Sequence, residues 1–223
     1  MHAEAPTAAE PSREKQWWLR TLAIFQSPRH VFAAARDESK ADMEAREEPV
    51  LALIVLAGIA AILLVPETGR LLDDPLADDS GAVLAVLIFL TGAIYGIATY
   101  WLGGGLLYVG LRGAGSSGSY RRARHVLAFA AAPTILGLLL IWPLRLALYG
   151  TDSFRSGGED SGTLPFLFDL AGVGFALWAL GLVIYGISVV EQWRLLRAGI
   201  SVALAVLAVL VLTFPFVIPL SSR

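Results

Sequence analysis

The chain has no cysteine, two methionines and few charges: Asp, Glu, Lys and Arg together make up 16% of its 223 residues. Without cysteine there are no disulfides and no thiolate metal sites, and the redox compartment stays open. An ordinary soluble domain carries roughly a quarter charged residues, so this composition excludes the common globular class. A net charge of −2 with no clustered basic face excludes a nucleic-acid partner. Lysine is also scarce: fifteen of the 17 basic residues are arginine, which with abundant alanine and glycine suggests a GC-rich bacterial genome.

What the chain has in place of charge is five apolar runs: Val50 to Val65, Gly81 to Leu111, Ala123 to Tyr149, Leu164 to Val190 and Ala198 to Leu220. Each is long enough, or nearly so, to cross a hydrocarbon core of about 30 Å at 1.5 Å per residue. The fold class they predict is all-α, a polytopic membrane bundle of five transmembrane helices preceded by short amphipathic helices. The expected spans are about 50–66, 82–111, 123–146, 164–190 and 198–220. The second run would rise about 46 Å as one helix, so it must tilt, protrude or break. The triplet Gly103-Gly104-Gly105 is the expected weak point. Pro133, Pro143, Pro215 and Pro219 fall inside the third and fifth runs, where neighbouring helices can satisfy the freed carbonyls.

The loops alternate between arginine-rich and acidic. Thirteen basic residues fall on the side that holds the N-terminus and four on the other. The positive-inside rule then predicts a cell-membrane protein with a cytoplasmic N-terminus and an extracytoplasmic C-terminus. Residues 1–15 are acidic and Ala/Pro/Glu-rich; they read as a disordered tail and not as a secretion signal. Residues 16–48 read as a cytoplasmic or interfacial segment. Within it, Gln16 to Gln26 gathers Trp17, Trp18, Leu22, Ile24 and Phe25 on one side at 100° per residue, a helix too short to span. Ser27 and Pro28 start a second short helix with Val31, Phe32 and Ala35 on one face. The stretch DESKADMEAREE that follows reads as solvated charge, and residues 49–220 form the membrane domain.

Few motifs carry chemistry. Gly113-Ala-Gly115-Ser-Ser-Gly118 spells GxGxxG, but a membrane helix precedes it and no acidic residue follows at the required distance, so it reads as a flexible loop. Arg121, Arg122 and Arg124 open the third run beside Tyr120 and His125. Arginine forks and helix N-terminal amides both favour phosphate, so the trio is a candidate lipid-headgroup site, with topology enforcement as the plainer reading. Asp169 and Arg145 are ionisable groups at shallow membrane depth, suited to an ion pair or to an ion path. Asp73, Asp74, Asp78 and Asp79 lack the spacing of a calcium loop. His2, His30 and His125 form no metal pattern, and neither metal nor cofactor is expected. Gly92 and Gly96 form a GxxxG, and Gly172 with Ala176 its weaker relative, for helix packing within the chain or between copies. Ile94-Tyr95-Gly96-Ile97 recurs as Ile184-Tyr185-Gly186-Ile187, an echo that chance explains.

In order, these features resemble the Yip family, a five-pass Rab-interacting-protein type of membrane domain, in its bacterial branch. The resemblance rests on the short helix with Pro28 and Phe32, the over-long second run and GAGSSGSYRRARHV leading into Ala130-Ala131-Ala132-Pro133. It ends on two final spans joined by a short loop closing at Arg197-Ala198, and covers roughly Phe25 to Leu220. It implies a cytoplasmic N-terminus, five spans and no catalysis. The Asp-Leu-Tyr-Gly-Pro type motif of the GTPase-binding eukaryotic relatives is absent here, so no GTPase partner carries over. The expected function is a non-enzymatic adaptor or scaffold that binds lipids or other membrane proteins, with a homo-oligomer also possible. The alternative is a small transporter or channel component using Asp169.

Overall fold

Long apolar runs without internal charge fold into helices because a helix satisfies every backbone donor and acceptor within itself. The computed structural model describes residues 13–64, 81–150 and 162–221, and among them it contains no strand. The expected tail and the acidic cluster at Asp73, Asp74, Asp78 and Asp79 lie outside the described residues. Three short helices come first: α1 (Arg13–Leu22), which runs into a 3-10 turn at Ala23–Phe25, α2 (Pro28–Ala34) and α3 (Lys40–Ala45). The bundle follows with α4 (Glu47–Leu64) and α5 (Gly81–Ala98), then a π-helical turn at Thr99–Gly103 and α6 (Gly104–Gly113). It is completed by α7 (Tyr120–Ala130), α8 (Ala132–Tyr149), α9 (Thr163–Glu191) and α10 (Leu195–Ser221).

All five apolar runs are helical, but they are not equivalent. Three stretches are long and apolar enough to cross a membrane: Val83–Gly113, Tyr120–Tyr149 and Thr163–Glu191. The first and last of these are mostly unburied within the chain, with Phe89, Leu90, Ile94, Leu102, Phe166 and Leu177 among their exposed side chains. A contiguous apolar exterior of that kind is unstable against water and stable against lipid. Half of the span formed by α7 and α8 is buried, which makes it the central member. The chain is a multi-pass membrane protein.

Small residues set how close the helices come. α4 and α5 pack antiparallel, and a Cβ on Gly96 would lie 2.2 Å from the Ile54 carbonyl oxygen, while one on Gly58 would lie 2.1 Å from that of Gly92. Gly92 and Gly96 therefore act inside the chain, with Gly58 as the partner. α6 meets α10 in the same way, Gly110 lying against the Ser201 carbonyl and Ala205. Gly172 is buried in α9, whereas Ala176 one turn on is exposed. The expected weakness at Gly103–Gly105 coincides with the π turn, which ends at Gly103 and aligns the long second run in two pieces.

The largest fully buried apolar side chains gather at one end of the bundle, beneath α1 and α2, where Trp17, Ile24, Val31, Phe32, Phe129 and Ile187 belong to one cluster. The amphipathic reading of residues 16–26 is refined there. Trp17, Thr21 and Ile24 face inward, while Trp18, Leu19, Leu22 and Phe25 point out, Leu22 at 68% exposure. Ser27 precedes α2 without forming a side-chain cap, so Pro28 alone sets that start. Gly96→Leu should separate α4 from α5: the added side chain meets backbone that cannot yield, and overpacking costs about 1–3 kcal/mol or more. Loss of crosslinking between cysteines placed at Ala57 and Thr99 would report it; unchanged crosslinking would contradict the packing described.

Candidate functional site

The end that buries α1 and α2 also collects the charge. Ser39 caps α3, its hydroxyl accepting from the Asp42 amide at 3.4 Å. This turns the Asp42 carboxylate to accept from Trp17 Nε1 at 3.0 Å and to face Arg46 Nη1 at 3.5 Å. Arg46 is 0% exposed, donates to the Ala35 carbonyl at 3.2 Å and lies 5.4 Å from the centre of the Trp17 ring. Burial lowers the Arg46 pKa below its ordinary value, opposed by the nearby Asp42, Asp37 and Glu38 carboxylates. Trp17 stacks on Phe129 at 5.7 Å and so ties α1 to α7. The stretch expected to be solvated charge thus contains the most deeply buried cation among the described residues. The only hint in the sequence is the i, i+4 spacing of Asp42 and Arg46.

A second tie is built on Arg122. Ser119 caps α7, and its hydroxyl accepts from the Arg122 amide at 3.1 Å while donating to Glu38. The Arg122 guanidinium reaches Glu38 at 3.2 Å and Glu191, the last residue of α9, at 3.7 Å. Ser116 donates to Glu191 at 2.7 Å and accepts from the Gly118 amide at 2.9 Å. Arg197 donates to the Ala114 carbonyl at 2.7 and 3.1 Å. The GxGxxG segment is therefore a fixed turn and not a loose loop. Arg36 closes the same region by donating to the Val189 carbonyl at 2.6 and 3.1 Å, as a cation at a helix C-terminus does.

Arg124 turns the other way. Its guanidinium carbon lies 3.8 Å from the Trp101 ring centre, 4.6 Å from Tyr120 and 4.9 Å from Tyr100. Gly104 makes room for its stem, since a Cβ there would lie 2.3 Å from Arg124 Cγ. The π turn contributes as well: Tyr120 donates to the Trp101 carbonyl at 2.6 Å. Arg121 is exposed, with Nη1 3.3 Å from Met43 Sδ. The three arginines expected to form one headgroup cluster are thus divided. Arg122 is held in ion pairs, and only Arg121 and Arg124 line the cleft beside them.

That cleft, about 570 Å³, lies between the start of α4, the π turn and the start of α7. Glu47, Glu48, Arg121, Arg124 and His125 give it a polar side; Val50, Leu51, Ile54, Ile97 and Trp101 give it an apolar one. Arg124 is 7% exposed and His125 3%, and neither Arg124 Nε nor His125 Nδ1 has a hydrogen-bond partner among the described residues. No cluster of metal-binding side chains occurs among the described residues.

At the opposite end of the bundle Arg145 and Asp169 form an ion pair at 2.8 Å that joins α8 to α9. Arg145 also lies 5.4 Å from the Trp142 ring centre. The residues that sequence reasoning overlooked are Glu38 and Glu191, whose partner Arg122 is distant in the chain, Arg46, which reads as solvated charge, and Tyr100 with Trp101.

Helices with a lipid-compatible exterior, knotted at one end by buried arginines, define a polytopic helical membrane protein. The chain belongs to the Yip1 domain family, whose match extends over residues 22–217. No curated protein and no solved structure matches it.

The Arg122 network should be cooperative. In a double-mutant cycle, Arg122→Gln with Glu191→Gln should show a coupling of about 0.5–1 kcal/mol, as both side chains are partly shielded. Unfolding in mild detergent measures it, and strictly additive losses would mean the pair contributes nothing.

Proposed function

We propose that this protein is a non-enzymatic membrane adaptor or scaffold, engaging lipids and other membrane proteins through the end of the bundle that carries α1, α2 and the arginines. The observation that carries this reading is the outward row of α1: Trp18, Leu19, Leu22 and Phe25 are exposed although the helix is anchored firmly through Trp17 and Ile24. A helix bound so tightly on one side and left apolar on the other offers a rigid surface for a bilayer interface or a partner helix. Phe25 continues that surface onto α9 by an edge contact with Trp178 at 5.8 Å.

In the bilayer, α4 and α10 join the three longer spans to give five passes, with α1 to α3 at the cytoplasmic face and the C-terminus outside. The basic residues at the α1 end support this orientation. A reporter fused after Arg223 should be active only outside the cytoplasm; activity confined to the cytoplasm would reverse the topology. Partners are cytoplasmic or in-membrane proteins, a second copy included, and photocrosslinkers at Leu19 and Leu22 in intact membranes should capture them. Leu22→Glu should abolish the captured bands without loss of the folded protein. Bands that persist in that variant would remove α1 as the docking surface.

The transporter alternative finds less support. Asp169 sits at the far end of the bundle, its side chain is 62% exposed, and it is already paired with Arg145. The cavity beside the pair, lined by Gly137, Gly172 and Phe175, is about 20 Å³, which favours a tie between helices over a path for ions. Asp169→Asn should therefore lower thermal stability by about 0.5–1 kcal/mol and leave proton or cation leak of reconstituted vesicles unchanged. A loss of flux would restore the alternative.

A further inference from the structure

We propose that the cleft between α4, the π turn and α7 binds a glycerophospholipid whose headgroup carries both a phosphodiester and a primary ammonium, as phosphatidylethanolamine does. The phosphodiester sits on Arg121 and Arg124, and the ammonium on Glu47 and Glu48. This deepens the lipid-engaging part of the adaptor reading and rests on it.

The charges favour a zwitterion. Two guanidinium groups and two carboxylates line one cleft, yet among the described residues no ion pair joins Glu47 or Glu48 to Arg121 or Arg124. Opposite charges that share a cleft without closing on each other leave both signs free to meet a ligand that bears both. An anionic headgroup would satisfy the arginines and be repelled by the two glutamates. The surroundings of Arg124 point the same way. Tyr100, Trp101 and Tyr120 hold its guanidinium by ring faces, and among the described residues no carboxylate pairs with it, so its charge in the cleft has no counter-ion.

The apolar side of the cleft identifies the source as a lipid and not a free phosphate compound. Leu51, Ile97 and Trp101 line it and are exposed. Ile54 and Tyr100 are shared with a second, smaller slot of about 70 Å³ that continues along Ala57, Gly58, Gly96 and Leu127. That slot is almost wholly apolar and runs along the groove formed by α4, α5 and α7, away from the charged end. A headgroup in the cleft therefore places its glycerol beside Ile54 and the first part of an acyl chain along the slot. Tyr100 and Trp101 lie in the π turn, line the cleft and present their ring faces to Arg124.

The test is native mass spectrometry of the delipidated full chain titrated with phosphatidylethanolamine, phosphatidylglycerol, phosphatidylcholine and inorganic phosphate. Phosphatidylethanolamine should bind at least about tenfold more tightly than phosphatidylglycerol, in line with one or two charge-assisted hydrogen bonds from the ammonium. Phosphatidylcholine, which has no N–H to donate, should be weaker than phosphatidylethanolamine. Glu47→Gln with Glu48→Gln should erase the preference, and Arg121→Gln should weaken both phospholipids by about tenfold. All three side chains are exposed, so melting temperature should hold in each variant. Equal or tighter binding of phosphatidylglycerol, or a preference that survives the double glutamate change, would overturn the proposal. Displacement of the lipid by inorganic phosphate would overturn its lipid source. If no phospholipid binds selectively while partners are still captured at Leu19, the cleft proposal fails and the adaptor reading stands; the reverse result sinks only the adaptor.

Discussion

A guanidinium taken out of water must find a carboxylate, a carbonyl or an aromatic face, and three arginines at one end of this bundle decide how its helices meet. Arg46 takes all three kinds of partner at once in Asp42, Ala35 and Trp17. Arg122 takes carboxylates from two different segments. Arg124 takes rings alone. Apolar helices in lipid have no hydrophobic force to bring them together, so directional contacts of this sort, with close backbone packing, determine the arrangement. Trp17, Phe32 and Phe129, among the largest fully buried side chains, accordingly lie where the charge is, with Trp17 beside Arg46.

The two mechanisms are complementary along the helix axis. Away from the charged end, α4 and α5 meet through Gly58, Gly92 and Gly96, where backbone touches backbone. Nearer to it, Gly104 admits the stem of Arg124 and Gly186 admits the ring of Phe32, while Gly110 still brings α6 onto the α10 backbone at Ser201. Helix, π turn and helix then follow one another along the second run: α5 packs on α4, the π turn presents Tyr100 and Trp101 to Arg124, and α6 packs on α10.

The length, order and helical nature of the five runs were readable because hydrophobicity along a chain is a local property. So was the inward face of α2, since Pro28 fixes its start and three apolar residues share its spacing. The division of Arg121, Arg122 and Arg124 was not readable, because adjacent residues on a helix diverge by about 100° and their partners sit as far away as Glu38 and Glu191. The charged stretch 37–48 misled for the same reason. Its composition is that of a solvated loop, and only the arrival of Trp17 and the Ala35 carbonyl makes the interior acceptable to Arg46. The Yip family resemblance, by contrast, depended on the order of weak motifs, and order survives in a sequence without any knowledge of contacts.

The charged end also couples surfaces that look separate. α1 presents its apolar row outward and holds Asp42 through Trp17 Nε1; Asp42 in turn faces Arg46. The next residues after Arg46 are Glu47 and Glu48, which line the cleft. From α1 to the cleft there is one hydrogen bond, one ion pair and one peptide bond. Displacing α1 would take from Asp42 its indole donor and from Arg46 the ring that covers it, immediately before the first turn of α4. On the proposed reading, in which lipids and other proteins are engaged at the same end, these contacts are the physical route by which one kind of contact alters the other, and the route passes through Arg46, which is fully buried.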